Sequence, residues 1–234
     1  MIGFYDYTVI LTYLSILSGT TGIILCLNGV GHPYLGMFFL LFSGLCDTFD
    51  GKVARSKKDR TEQMKKFGIQ IDSLFDLIAF GVLPACIGIA MIRRGLEGTT
   101  LPNFRFVSVG RETIVYQVIS IMIAIFYVLV AMIRLAYFNL LEEEDDNRDE
   151  SGQKVYTGLP VTSAALVFPA VLLIHIFVKA DLTLLYFGVM IVMGFLFISK
   201  IQIRKPENRQ IALMILLGVV EFAALAIVLA CVRR

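Results

Sequence analysis

The chain carries little charge, and this scarcity excludes an ordinary soluble domain. Of its 234 residues, 57% are hydrophobic and only 17% are charged, whereas about a quarter of the residues in typical soluble domains are charged. The mean hydropathy is +0.78, and the apolar residues fall in runs long enough to cross a bilayer. We therefore predict an all-α integral membrane protein.

Other absences narrow the function. The formal net charge is only +2, which is too small to indicate a nucleic-acid partner. The four cysteines are scattered through apolar segments and form no C-x-x-C pair, so we interpret them as buried thiols. The first residues, MIGFYDY, lack a basic segment, so no cleavable signal is predicted.

Four carboxylates stand out in two of the apolar segments. Asp47 and Asp50 are three residues apart, and Asp72 and Asp76 are four apart, so each pair lies on one face of its helix. The connection between the two helices is short and polar, which predicts antiparallel neighbours with facing acidic surfaces. Because an ionisable group at membrane depth is costly unless it is paired or functional, we interpret the four aspartates as a site.

Facing carboxylates repel one another strongly where the dielectric constant is low, and bound cations are the natural resolution. The side chains are hard oxygen ligands with only Cys46 beside them, so Mg, Mn or Ca is favoured over zinc. A pair of such ions is the usual arrangement for displacement at phosphorus.

Small residues lie near the acidic faces. Gly51, Ala54 and Gly68 leave space that larger side chains would fill, which indicates close approach of a ligand or of another helix. Arg55 follows Asp50 by five residues, so its side chain is long enough to reach a phosphate held there. Taken singly, the glycines are equally typical of helix packing and Arg55 of a membrane boundary.

Taken together, these residues resemble the signature of the CDP-alcohol phosphotransferase family. That signature is D-x-x-D-G-x-x-A-R, a spacer, and G-x-x-x-D-x-x-x-D; the matching residues are Asp47, Asp50, Gly51, Ala54, Arg55, Gly68, Asp72 and Asp76. Twelve residues separate Arg55 from Gly68, more than is common in the family, and we expect the surplus to lengthen a loop. The resemblance implies a six-helix transmembrane bundle over residues 1–205. Residues 206–234 are predicted to add a C-terminal span packed on it.

Later motifs resemble the phosphatidylserine synthase branch of this family. They are R-L-A-Y-F-N, Y-T-G-L-P-V-T-S-A-A and I-S-K-I-Q, in that order. The branch implies transfer of a phosphatidyl group from CDP-diacylglycerol to L-serine with release of CMP, two divalent ions (Mg or Mn), and a homodimer. It also implies that Asp76 is the general base and that the nucleotide lies against Gly51, Ala54, Arg55 and Gly68.

Three further polar residues lie towards the same ends of their helices as the aspartates. Arg134 lies inside the fourth span, with Asn139 five residues on, and we predict that Arg134 binds the serine carboxylate. Lys200 closes the sixth span; it is a further candidate substrate residue, although snorkelling at the membrane boundary explains it equally well.

The loop charges predict the orientation. Thirteen Lys and Arg residues lie on the side of the aspartates and seven on the other. The positive-inside rule therefore places the site at the cytoplasmic face of the cell membrane. We interpret the acidic run Glu142–Asp146 as a solvated loop, because adjacent carboxylates without glycine turns make a poor metal cage.

Other functions stay open at this point. The same chemistry with glycerol phosphate, inositol or inositol phosphate as the acceptor is the nearest alternative. A cation transporter is a different class that also uses carboxylates inside the membrane. The bunching of the four aspartates near one face, with Glu221 as the only further acid within a span, argues against a path through the membrane. Four acids at helical spacing inside apolar segments also argue against a purely structural membrane protein.

Overall fold

A computed structural model describes residues 3–4, 7–29, 31–57, 59, 61–96, 113–144, 155–178, 181–204 and 208–232. The described residues are mainly helical, which confirms the predicted fold class. The helices are α1 (Ile10–Leu27), α2 (Pro33–Ser56), α3 (Glu62–Asp76), α4 (Leu83–Leu96), α5 (Thr113–Glu144), α6 (Ala164–Val178), α7 (Thr183–Phe197) and α8 (Asn208–Val232).

Within the part of the chain that the structure describes, three apolar stretches are long enough to cross a bilayer. They are Ile10–Leu27, Glu62–Arg94 and Ile114–Leu140. Shorter apolar helices cover Val161–His175, Thr183–Phe197 and Ala212–Ile227. The number of crossings and the division at residue 205 stay predictions.

The helix that carries Asp72 and Asp76 continues into α4 through a π-helical stretch, Leu77–Val82. Pro84 has no N–H, so it cannot supply the usual helical hydrogen bond to the carbonyl of Phe80. The buried Tyr127 hydroxyl donates to that carbonyl at 2.9 Å. The widened turn therefore begins directly after Asp76, and π-helical turns are frequent at functional sites.

Small polar side chains join α1 to α2. The Ser15 and Ser43 hydroxyls each donate to the other residue's carbonyl at 3.3 Å, and Ser18 donates to the Phe39 carbonyl at 2.8 Å. These bonds satisfy buried hydroxyls within the apolar bundle. They also fix the rotation of α2, and therefore the direction in which its aspartates point.

A short antiparallel ribbon, which the sequence did not predict, ties the start of α6 to the end of α7. Strand β1 (Val155–Thr157) pairs with β2 (Gln202–Arg204), with Val155 opposite Arg204. Gly158 follows β1 with φ of +79°, a backbone conformation that favours glycine. Its N–H donates to the Ile201 carbonyl at 2.7 Å. Residues 202–204 therefore form a strand.

The acidic run after α5, which we predicted to be a loop, needs one correction. Helix α5 runs to Glu144, so residues 142–144 of the acidic run are helical and not loop. A long apolar helix extends readily into a segment of glutamates, since glutamate is a good helix former. The rest of the acidic run, residues 145–146, lies outside the described residues.

Candidate metal centre

The facing ends of α2 and α3 bring carboxylates together. Asp47, Asp50 and Asp72 each present an oxygen, and these oxygens lie within 4.8 Å of one another. Asp50 is buried, and the other two are half-buried. The structure thus has the meeting of two acidic helix faces that the spacing predicted.

Asp76 lies one turn beyond Asp72 on α3 and is 8% exposed. It is close enough to Asp47, Asp50 and Asp72 to interact with them electrostatically. Its Oδ1 is buried and has no hydrogen-bond partner among the described residues. We call Asp47, Asp50, Asp72 and Asp76 the aspartate cluster.

The aspartate cluster fits a divalent metal. A buried oxygen without a donor costs free energy, and like charges at this range raise that cost. A cation among the four side chains relieves both. The ligands are hard oxygen atoms, which suits Mg²⁺ or Mn²⁺ better than a thiophilic metal.

Thr12 of α1, which the sequence did not single out, contacts the cluster. Its Oγ1 donates to Asp50 Oδ2 at 3.4 Å, and its side chain is only 5% exposed. One signal was available: Thr12, Ser15 and Ser18 recur every three residues, which places them along one face of α1.

Asn139 of α5, predicted as a substrate residue, lies beside the cluster. The Ser73 hydroxyl donates to Asn139 Oδ1 at 2.9 Å. Ser73 follows Asp72 directly, so this bond holds the acidic part of α3 against α5. The structure therefore gives Asn139 a contact that positions the helix carrying Asp72.

Arg134 lies at the ribbon. Its Nε donates to the Leu159 carbonyl at 3.3 Å and its Nη2 to the Gly158 carbonyl at 3.5 Å. The guanidinium also lies over the Phe138 ring, 5.4 Å from the centroid. These contacts hold the turn after β1.

Lys200, the third predicted substrate residue, is exposed just beyond α7.

The remaining predicted residues flank the aspartates. Gly51 follows Asp50 on α2 and is half-buried, and Gly68 lies one turn before Asp72 and is also half-buried. Ala54 and Arg55 lie in the last turns of α2, and their side chains lie outside the described part of the structure.

An apolar groove of about 200 Å³ begins at the cluster. It lies between α2, α6 and α8, and Asp47 and Thr48 line it. Its other lining residues are mostly apolar, among them Leu41, Leu166 and Phe222. The aspartate cluster thus lies at one end of an apolar groove. This arrangement suits a ligand with a charged head and a hydrocarbon tail.

Comparison with known proteins identifies the family of this chain. The model of the CDP-alcohol phosphatidyltransferase family matches residues 8–232, which include α8. The CDP-diacylglycerol–serine O-phosphatidyltransferase of Saccharomyces cerevisiae is 33% identical over 165 residues, which cover 66% of this chain and 50% of that protein.

Two further relatives are similar over more of the chain. The protein of the same name from Helicobacter pylori is 26% identical over 180 residues, 76% of this chain and 62% of that protein. The archaetidylserine synthase of Methanothermobacter thermautotrophicus is 29% identical over 199 residues, 85% of this chain and 70% of that protein. The chain thus spans about half the length of the yeast relative and 62% of the bacterial one.

Proposed function

The chain belongs to the CDP-alcohol phosphatidyltransferase family, and from this membership we propose that it transfers the phosphatidyl group of CDP-diacylglycerol to the hydroxyl of L-serine. The products are phosphatidylserine and CMP. The observation that carries the proposal is the aspartate cluster at the mouth of an apolar groove. CDP-diacylglycerol has the matching chemistry, a diphosphate joined to a lipid, and the named relatives support serine as the acceptor.

Asp47, Asp50, Asp72 and Asp76 are the proposed ligands of two divalent ions, Mg²⁺ or Mn²⁺. When bound, such ions neutralise the diphosphate and stabilise the phosphate of the departing CMP. The protein contributes the fixed orientation of the four carboxylates. Thr12 supports this role because its hydrogen bond restrains Asp50.

Asp76 is the proposed general base. It accepts the serine proton as the hydroxyl oxygen attacks the lipid-side phosphorus, and the bond from that phosphorus to the CMP oxygen breaks. Its buried Oδ1, which lacks a donor among the described residues, supports this role because a proton acceptor must present an available oxygen. The burial also keeps water, the competing nucleophile, from the carboxylate.

The substrate contacts are proposals that rest on the family pattern. Gly51, Ala54, Arg55 and Gly68 are assigned to the nucleotide. Arg134, Asn139 and Lys200 are assigned to the serine side, with Arg134 as the ligand of the carboxylate. The contacts of Arg134 with the turn after β1 add a second role, since they fix the guanidinium against that turn.

We also propose that the site faces the cytoplasm of the cell and that the protein is a homodimer. The excess of basic residues on the side of the aspartates supports the orientation. A water-soluble CMP then leaves directly into the cytoplasm.

The test is CMP release by the purified protein in detergent. Serine, glycerol phosphate, inositol and inositol phosphate are compared as acceptors, each with Mg²⁺, Mn²⁺ or EDTA. We expect release that requires both serine and a divalent ion. Release with another acceptor overturns serine specificity but leaves the transferase chemistry. No release with any acceptor, from protein shown to be folded, contradicts the enzyme and favours ion transport.

A further inference from the structure

Helix α8 forms one wall of the apolar groove. We propose that this groove holds one hydrocarbon chain of the lipid donor, and that Gly218 and Phe222 of α8 set how much of the chain fits. The proposal rests on the proposed function, because it takes the donor of the aspartate cluster to be a lipid. It adds a binding site for the tail and two residues that determine specificity.

The groove is continuous with the aspartate cluster. Asp47 and Thr48 line the groove at the end nearer the aspartate cluster, and Leu41 lines it deeper in the bundle. Leu41 precedes Asp47 by six residues, so the groove runs about 9 Å along α2 at 1.5 Å per residue. A lipid whose phosphates lie at the cluster thus has its tail directed into this groove.

Two glycines line the groove, and only one of them is explained by helix packing. A Cβ on Gly44 of α2 lies 2.5 Å from the Cβ of Ala165 on α6, so the approach of these two helices requires glycine there. A Cβ on Gly218 of α8 meets Leu166 Cδ2 at 3.4 Å, an ordinary contact. Packing therefore does not require glycine at residue 218, and its missing side chain leaves space in the groove.

Two aromatic rings pack together on the side of the groove away from the aspartates. Phe222 lines the groove and packs against Phe38, with the ring centroids 4.7 Å apart. Phe38 precedes Asp47 by nine residues, about 14 Å along the α2 axis. The proposal takes these rings as the limit of the groove, which a longer chain passes only by moving them.

Selection in this groove depends on fit. A tail that leaves the groove enters the surrounding lipid, which is as apolar as the groove. The hydrophobic effect therefore contributes little to the affinity of the groove for the tail. Dispersion contacts and overlap with the walls make the difference instead. Changes in the walls are therefore expected to alter the preference among chain lengths more than the reaction at phosphorus.

The test compares short-chain and long-chain CDP-diacylglycerol as competing donors. In Gly218→Leu we expect the ratio of kcat/KM for long over short chains to fall roughly tenfold, because a large side chain there fills space that the longer chain needs. In Phe222→Ala we expect the ratio to rise, because the far end opens. General destabilisation cannot produce opposite changes. Gly218→Ala, which adds only an ordinary contact, is expected to move the ratio slightly in the direction of Gly218→Leu.

Gly188→Leu is the matched control. Gly188 lies on α7, and a Cβ there meets no atom within 4 Å among the described residues. The same substitution should leave the chain-length ratio unchanged. If the chain-length ratio is the same in the wild type, Gly218→Leu and Phe222→Ala, the proposal that the groove binds the lipid chain is wrong. The proposed function is not affected by that result.

A second measurement does not depend on turnover. A CDP-diacylglycerol analogue with a photoreactive diazirine near the chain end is irradiated with the protein, and labelled peptides are identified by mass spectrometry. We expect label on α8 near Phe222, and much less in Gly218→Leu. Labelling confined to other helices overturns the proposal. Failure of CMP release with every acceptor instead contradicts the proposed function, and the labelling still decides whether the groove binds the chain.

Discussion

The charged side chains near the two ends of α2 have opposite surroundings. At its C-terminal end, the aspartate cluster places carboxylates opposite one another. Beyond its N-terminal end, Arg94 of α4 donates from Nε to the Gly31 carbonyl at 2.6 Å and from Nη2 to His32 Nδ1 at 2.9 Å. A backbone carbonyl and a ring nitrogen thus share the Arg94 charge, whereas each aspartate faces further negative charge.

This difference separates a structural charge from a functional one. Charge-assisted bonds to fixed backbone groups stabilise the fold. Clustered like charges destabilise it unless a ligand compensates them. Substitution at the Arg94 end should therefore lower stability and spare metal binding, and substitution in the aspartate cluster should do the reverse.

The largest expected effect comes from Asp76→Asn. We expect CMP release to fall about a thousandfold or more, because the amide cannot accept the serine proton. Nucleotide binding should be largely retained. In EDTA the thermal midpoint should be unchanged or higher, since one repelling charge is removed.

Asp59→Asn is the control for this change. Asp59 is exposed in the connection between α2 and α3, so the same chemical substitution should leave both activity and stability unchanged. Retained turnover in Asp76→Asn removes Asp76 from the role of base.

Arg94→Ala tests the other end of α2. We expect the free energy of unfolding to fall by about 2 kcal/mol, because a buried charge-assisted hydrogen bond is lost and the Gly31 carbonyl loses its donor. Mn²⁺ affinity should be unchanged. Arg93→Ala is the matched control, since its bonds to the Leu27 and Gly29 carbonyls are exposed and should contribute less. Equal losses in thermal denaturation of the two variants contradict this account.

Thr12→Val probes the residue that restrains Asp50. Valine keeps the shape and removes the hydroxyl, so we expect Mn²⁺ affinity to weaken roughly tenfold, as is common when a partner of a metal ligand is lost. Thr12→Ser should restore it. Thr21→Val removes a hydroxyl of the same helix that donates to the Leu17 carbonyl, and it should have no effect on Mn²⁺ affinity. Unchanged affinity in Thr12→Val assigns Thr12 to packing alone.

The smallest expected effect is a pH dependence at His32. Partial burial and the neighbouring Arg94 charge lower the pKa of His32 below its usual 6.5. The unfolded chain therefore binds this proton more readily than the folded one, so the stabilisation is present above pH 6.5 and is lost as the pH falls below it. We expect His32→Gln to show a smaller acid-induced drop in thermal midpoint than the wild type. Parallel pH profiles contradict this assignment.

The sequence predicted the helices and the aspartates because both signals are local. Apolar runs mark the spans, and acids at helical spacing inside them are conspicuous. The Thr12–Asp50 bond joins residues 38 apart, so it depends on how α1 packs against α2, which spacing within one helix does not reveal. The ribbon of β1 and β2 likewise pairs segments on either side of α6 and α7.

Two other features depend on contacts between helices. Pro84 removes one helical hydrogen bond, but the π-helical stretch also involves Tyr127, which donates to Phe80 from another helix. Arg134 was conspicuous as a charge within a span. Its contacts with Gly158 and Leu159 follow from the ribbon, which the sequence did not predict.

Manganese binding tests the central claim most directly. Mn²⁺ is titrated into the purified protein in detergent, and free ion is measured by electron paramagnetic resonance for the wild type, Asp72→Asn and Asp59→Asn. We expect about two ions per chain in the wild type, as in other two-metal sites, the same in Asp59→Asn, and marked loss in Asp72→Asn. Equal binding by all three proteins would contradict the assignment of the aspartate cluster as the metal centre.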